Sequence, residues 1–319
     1  MDNKVNLAVV GIGYWGSKLI REYADIGTSR DDFKLAALCD ADAQRLNQAK
    51  GNTLKGYSDY KDLMKDHSIN AVHIAVPNTD HYKVAKEALL AGKHVLLEKP
   101  LCYSAEEAKE LCEIAKQKNL VFKAGLIFRF ANSLNFLKQV IRSNKHFDRI
   151  YFSRFTWEFS RKPMPNVSII WDLMPHLIDM FLYVNDIKDG DVKIDKLQGS
   201  FRRQDKSELA DIKLRIGDED AIFRISWFSS HKTRLIEVFG EKDGKDVSIQ
   251  LDIITQEMKY IVNDEDGVKD TKIEGFYANN TIKDEAENFI HAIQTGTNDK
   301  NNAEDSLLGL EIIRKIEGS

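Results

Sequence analysis

The amino-acid sequence predicts an α/β protein of two domains: a doubly wound parallel sheet in residues 1–126, then an α+β domain with a largely antiparallel, open sheet in residues 127–319. Three observations predict it. Up to about residue 126, short continuous apolar runs alternate with helical patterns, as strands buried on both faces by crossover helices do. A glycine-rich turn, Gly11-Ile12-Gly13-Tyr14-Trp15-Gly16, joins the first apolar run to the first helical pattern. Past residue 126 the apolar and polar residues alternate between charged connections, the pattern of antiparallel strands with one solvated face.

In chain order, residues 5–10 (VNLAVV) form the first strand and a helix opens around Ser17. A second strand over 34–39 ends at Asp40, followed by a helix over 43–50 and a short helix ending at Asp66. Residues 70–76 are a third strand, stopped by Pro77; 80–91 are helical and Gly92 terminates them; 94–97 are a fourth strand. Ser104 and Glu107 have the spacing of a capping box for a helix over 104–118, and 120–124 is a fifth strand. Beyond the boundary come a helix over 131–143 and an alternating strand over 149–160 with Tyr151, Phe155, Trp157 and Phe159 on one face. Further strands are predicted over 209–216, 220–228 and 233–239, and two amphipathic helices near 281–294 and 304–316. The last helix is expected to pack back on the first domain.

The chain has 319 residues, 43% of them hydrophobic and 30% charged, and a formal net charge of -4. Such a balance gives no global attraction to nucleic acid or to an anionic membrane. No run approaches the roughly 20 apolar residues of a membrane span, and the apolar run at the start is too short for a signal peptide. Cys39, Cys102 and Cys112 show neither a CxxC nor metal-ligand spacing, which fits a reducing, cytoplasmic setting and no metal site.

The glycine-rich turn has the spacing of a Rossmann phosphate loop. Gly11 permits the tight turn, Gly13 lets the backbone approach a pyrophosphate, and Gly16 lets the helix pack on its strand. Asp40 follows the second strand, 24 residues past Gly16, where an acidic residue accepts both ribose hydroxyls of NAD and repels the 2′-phosphate of NADP. NAD is therefore favoured, while Arg45, one helical turn on, leaves NADP open. A glycine-rich turn in an unrelated α/β protein is the alternative.

The most informative stretch is AGKHVLLEKPL at 91–101, where Glu98-Lys99-Pro100 ends a parallel strand and points Lys99 into the crevice where doubly wound folds bind ligands. Together with GIGYWG, Cys39-Asp40, VPNTDH at 76–81, AGLIFRF at 124–130 and WDLMPHLID at 171–179, it resembles the glucose-fructose oxidoreductase/inositol dehydrogenase (Gfo/Idh/MocA) family of nicotinamide enzymes over nearly the full length. The resemblance implies an NAD(P)-dependent dehydrogenase. It implies cofactor contacts from Gly11, Ile12, Gly13, Tyr14, Trp15, Gly16, Asp40, Glu98 and Lys99, and from Pro77, Asn78 and His81 along the nicotinamide-side ribose. Trp15 also reads as a packing residue, and His81 as a helix cap.

By the same resemblance the catalytic set is Lys99, Asp172 and His176. The chemistry agrees: oxidising a secondary alcohol needs removal of a hydroxyl proton, which an imidazole can take, and Lys99 can stabilise the developing alkoxide. Asp172 and His176 are four apart, so a helix puts them on one face. The alternatives are that Asp172 is only a helix N-cap, since Pro175 is tolerated in the first turn, and that His176 is a satisfied core histidine. Asp179 reads as structural, and Arg129 as meeting substrate or pinning the domain interface.

The form Trp171-Asp172-Leu173-Met174-Pro175-His176 looks most like the sugar-nucleotide branch of that family, with oxidation at a ring carbon such as C3. A diphosphate would then meet Arg154, Arg161 and Lys162, which otherwise read as ordinary strand-edge and loop charges. Free sugars and inositols are the second substrate class. A regulatory protein that senses NAD(H) without chemistry would explain the glycine loop and Asp40, but not the three catalytic residues. The aromatic alternation of 151–159, with Phe223, Ile225 and Trp227, suggests that one sheet face buries against a partner subunit in a homodimer or homotetramer.

Overall fold

In the computed structural model, residues 4–51, 54–162, 167–196, 201–203, 206–265, 267–297 and 300–318 are described; Asn166, at the head of the stretch leading to His176, lies outside them. The chain divides into two compact units. One runs up to Ile127 and includes Asn280–Leu310; the other is Phe128–Asn279 with the residues from Glu311.

The first unit begins β1 (Val5–Val10), α1 (Tyr14–Thr28), β2 (Phe33–Cys39), α2 (Ala43–Lys50), β3 (Lys55–Tyr57), α3 (Tyr60–Met64), β4 (Ala71–Ile74), α4 (His81–Leu90), β5 (His94–Glu98), α5 (Ala105–Gln117) and β6 (Phe122–Gly125). The strands form one parallel sheet in the order β3-β2-β1-β4-β5-β6. The order reverses between β1 and β4, and ligands of doubly wound sheets bind outside the strand ends at that point. Central strands are apolar throughout because helices cover both faces: Leu7, Ala8 and Val9 are fully buried. On α1, Leu19, Tyr23 and Ile26 form the buried stripe. Ser104 caps α5, its hydroxyl oxygen accepting from the Glu107 amide at 3.3 Å. The sequence pattern gives no warning of β3, a three-residue edge strand with exposed Lys55 and Gly56.

The second unit holds α6 (Asn132–Arg142), β7 (Arg149–Glu158), α7 (Ile169–Val184), β8 (Val192–Lys196), β9 (Phe201–Arg203), β10 (Lys206–Ile216), β11 (Glu219–Ser226), β12 (Thr233–Lys242), β13 (Lys245–Asp252), β14 (Glu257–Asp264) and β15 (Gly267–Ile273). Its sheet runs β15-β14-β13-β12-β7-β11-β10-β8, with β9 on β10, and every pair is antiparallel except β7 with β11. Helix α7 lies on one face: Phe181 meets Phe155 at 6.0 Å and Phe223 at 5.8 Å, both edge-on. Phe223, Ile225 and Trp227 are thus buried within this unit, not held out for a partner. On the opposite face Phe152 stacks on Phe239, Arg154 pairs with Glu237 and Arg224 with Asp211. Tyr151 departs from its expected face because the β7–β12 register slips between Phe239 and Gly240; such a bulge re-aims the side chain, here 41% exposed.

The chain then re-enters the first unit as α8 (Thr281–Thr295), whose Phe289 and Ile290 are fully buried in the core formed by β1, α1 and β2. Truncating such a phenylalanine to alanine costs about 3–5 kcal/mol. The last helix, α9 (Leu307–Gly318), begins in that unit and ends in the second. Lys123 of β6, fully buried, donates to Asn288 Oδ1 (2.7 Å) and Asn301 Oδ1 (3.1 Å), and Asn301 donates to the Ala124 carbonyl (2.7 Å). None of the described helices is long and apolar enough to cross a membrane. The three cysteines are free and buried, and burial pushes each thiol up to about 12, so they serve as small packing groups.

Burial lowers the pKa of His81 and of His94, whose Nδ1 accepts from the Val121 amide at 2.9 Å. The unfolded chain, with imidazoles near about 6.5, binds more protons than the fold in the window below that value, so stability falls as pH drops through it. Circular dichroism melts are expected to show Tm decreasing from about pH 7.5 to about pH 5.5, and His94→Gln is expected to flatten that slope. An unchanged slope in the variant would remove His94 from the account.

Candidate active site

The glycine loop is shaped by close backbone approach. Gly11 has φ +94°, and a Cβ there would lie 2.5 Å from the Ala75 carbonyl oxygen, at the end of β4. A Cβ on Gly16 would lie 1.9 Å from the Gly11 carbonyl oxygen. Gly13 differs: a Cβ there meets nothing within 4 Å, and its helix α1 receives no side-chain cap among the described residues. The space beside Gly13, at the N-terminus of α1, is therefore open, and a helix start with open space before it can hold a pyrophosphate. Tyr14 is 81% exposed beside this space, with Lys18 over its ring at 4.3 Å.

Asp40 ties β2 to the loop. Its Oδ2 accepts from the Ile12 amide (2.6 Å), and its Oδ1 from the Asp42 amide (2.8 Å) and Arg45 Nη2 (3.1 Å). An ionised carboxylate offers about four acceptor positions, so three protein donors leave it room for a ribose hydroxyl, not both lone pairs of each oxygen. Pro77 and Asn78 form the turn after β4. His81 does not open toward the crevice: it is buried, with Nδ1 2.7 Å from the Pro100 carbonyl and Nε2 3.0 Å from that of Val76. It joins the turn after β4 to the turn after β5.

Lys99 stands in that second turn, half-buried, with the Lys99–Pro100 peptide cis. Glu98 turns inward instead; it is buried, accepts from the Trp15 indole N–H, and lies 3.2 Å from His73 Nε2. Sequence reasoning missed His73, whose place in the apolar run of β4 gives no sign of a polar partner.

In the second unit, Ser168 caps α7 and Pro175 sits two turns in, so Asp172 is not the N-cap. Along Ile169–Leu182 every residue is buried except Asp172 and His176, which share one face of the helix. Asp172 Oδ2 is held by Trp227 Nε1 (3.2 Å) and Arg161 Nη1 (3.3 Å). The His176 ring stacks on Trp157 at 5.6 Å and 10° and meets Phe128 edge-on at 5.1 Å, which fixes the imidazole plane. Arg234 lies 4.1 Å above the Trp157 ring. Trp157 and Trp227 read in the sequence as part of an aromatic sheet face offered to a partner, and Phe128 as one aromatic of AGLIFRF; none is marked there as a support for His176 or Asp172.

The remaining arginines part company. Arg161 reaches Asp172, and Lys162 beside it is exposed. Arg154 lies on the sheet face turned away from α7, in a two-point pair with Glu237 (2.5 and 2.7 Å). Arg129 is buried and paired with Asp179 through Nε (2.9 Å) and Nη2 (2.7 Å), pinning the segment before α6 to α7. Removing one member of such a buried pair costs about 3–5 kcal/mol.

The sheet order, the glycine cradle and Asp40 define the class: the first unit is a dinucleotide-binding Rossmann unit. A family model described as "Oxidoreductase family, NAD-binding Rossmann fold" (GFO_IDH_MocA) matches residues 5–126, within this first unit. An uncharacterized oxidoreductase of Schizosaccharomyces pombe is 32% identical over 188 residues, 55% of this chain and 50% of its own. A UDP-N-acetylglucosamine 3-dehydrogenase of Acidithiobacillus ferrooxidans is 28% identical over 188 residues, 58% of this chain and 56% of its own. The aligned stretch thus spans about half the length of these curated relatives. A structure of that same dehydrogenase shares the fold at a TM-score of 0.82 and 22% identity, covering 99% of this chain and 97% of that one. So does a levoglucosan dehydrogenase in complex with NADH and L-sorbose, at 0.83 and 19%, covering 99% and 96%.

Two glycine substitutions separate binding from folding. Gly13→Ala is expected to leave Tm within about 2 °C of the parent while weakening NADH binding at least about tenfold, because its Cβ fills the cradle. Gly16→Ala must displace the loop and is expected to lower Tm as well. Calorimetry and NADH fluorescence titration read both; unchanged NADH affinity in Gly13→Ala would move the pyrophosphate elsewhere.

Proposed function

We propose that this protein is an NAD-dependent dehydrogenase that oxidises a secondary alcohol of a sugar nucleotide, at C3 of the sugar ring. The observation that carries the reading is the Asp172–His176 stripe: two polar residues left accessible on an otherwise buried helix, one anchored by Trp227 and Arg161, the other by Trp157 and Phe128. Helix burial is costly to interrupt with ionisable groups unless they are used or paired.

When bound, the dinucleotide supplies the hydride acceptor. The chain's own residues do the rest. Gly13 and the first amides of α1 bind the pyrophosphate, and Asp40 receives the adenosine-side ribose, which favours NAD; Arg45, 3.1 Å from Asp40, tempers that preference. Lys99 donates a hydrogen bond to the reacting oxygen and stabilises its developing negative charge. His176 takes the hydroxyl proton, and Asp172 favours the imidazolium that results. Arg161 and Lys162 supply charge for a diphosphate. Arg154, engaged by Glu237 on the far sheet face, is left out of this assignment. The sugar-nucleotide substrate is supported by the likeness of the Trp171–His176 stretch to that branch and by the relative named as a UDP-N-acetylglucosamine 3-dehydrogenase.

NADH production is to be screened with UDP-sugars, free aldoses and inositols. Turnover is expected with a UDP-sugar; turnover of inositol with none on UDP-sugars would replace this substrate class. Lys99→Ala is expected to lower kcat by at least about 10²-fold with NADH binding retained. Full activity in that variant would sink the catalytic role of Lys99.

A further inference from the structure

Behind the glycine loop lies a buried polar ring that the chemistry above does not use. Glu98, the last residue of β5, accepts from the indole N–H of Trp15 and from His73 on β4, 3.2 Å away. His73 Nδ1 lies 3.0 Å from the hydroxyl of Tyr23, which is fully buried. Trp15 and Tyr23 both belong to α1, two turns apart, so the contacts close a circuit from α1 to β5 to β4 and back to α1.

The donor directions follow from the groups themselves. Burial, then the nearby carboxyls of Glu285 and Glu98, raise the Tyr23 hydroxyl well above its ordinary range, so it keeps its proton and donates to Nδ1. The hydrogen of His73 is then on Nε2 and points at Glu98. Gly125 of β6 forms the remaining wall: a Cβ there would lie 2.9 Å from Glu98 Oε2. Glu285 of α8, fully buried, also faces this cluster; burial and the charge of Glu98 push its pKa well up.

We propose that Glu98 is a positioning residue for the dinucleotide site: by gripping Trp15, the second residue of α1, it fixes the amides of the glycine loop relative to the strand that presents Lys99. Glu98 then acts on the cofactor through Trp15, without touching it. The inference rests on the first unit binding the dinucleotide at the Gly13 cradle, and not on the identity of the sugar.

The test is a double-mutant cycle in the full chain, with NADH dissociation constants from fluorescence and Tm from calorimetry. Glu98→Gln and Trp15→Phe, which keeps a ring and removes the N–H, are each expected to weaken NADH about tenfold, and the double variant no more than either alone. Gly125→Ala, which presses on the Glu98 carboxylate from below, is expected to weaken NADH similarly, and serves if Glu98→Gln does not fold. Losses that multiply to about a hundredfold in the double variant mean that Glu98 meets the cofactor directly and overturn the proposal. So do unchanged dissociation constants, or losses that merely track Tm across the set. Failure of the parent protein to bind NADH would instead overturn the cradle assignment.

Discussion

The first unit hangs on one backbone approach: α1 leaves β1 so tightly that Gly16 sits against the Gly11 carbonyl and Gly11 against that of Ala75. Only the absence of two side chains permits it. From this contact follow the position of α1 over the β1–β4 reversal, the aim of its N-terminus, and the reach of Trp15 to Glu98 and of Asp40 to the Ile12 amide. Backbone groups are assigned the recognition there, while side chains such as Asp40, His81 and Glu98 bridge the neighbouring turns. The second unit solves the opposite problem. The groups proposed for its chemistry are side chains, and aromatic rings hold them: Trp157 and Phe128 on His176, Trp227 on Asp172.

The difference explains what was legible in the sequence. Glycine spacing, strand-terminal Asp40 and the Glu98-Lys99-Pro100 turn are local signals, since each is set by the conformation of a few consecutive residues. The parallel strands other than the short edge strand β3 were equally plain, because burial on both faces makes them continuous apolar runs. Contacts between distant residues leave no such mark. Nothing near Arg154 in the chain says that Glu237 will pair with it, nor near Arg129 that Asp179 will; the first arginine stays partly exposed in its pair, and the second is buried. Pro175 misled in a related way: the rule that proline belongs in a first turn describes isolated helices, whereas the heavily buried α7 carries it two turns in.

The sheet of the second unit was only half visible for a physical reason. Strands under α7 show clean alternation, but β15 is a charged edge strand in which Lys269, Asp270 and Lys272 replace any apolar stripe. Edges are kept polar to prevent pairing with other chains, and the same polarity hides them from a hydrophobic pattern. Likewise the aromatic residues offered as a subunit contact proved to be the inner layer, since alternation tells which residues share a face but not which face the helix covers.

The return of α8 to the first unit has a consequence for how the protein is made. Phe289 and Ile290 complete the core around β1 and α1, and buried Lys123 finds Asn288 and Asn301 only from that late segment. Chains emerge N-terminus first, at about 5–20 residues per second. The first unit is therefore begun before the second and finished after it: while the sheet of the second unit is being translated, Lys123 waits for Asn288 and Asn301, and helix α8 arrives only after residue 280.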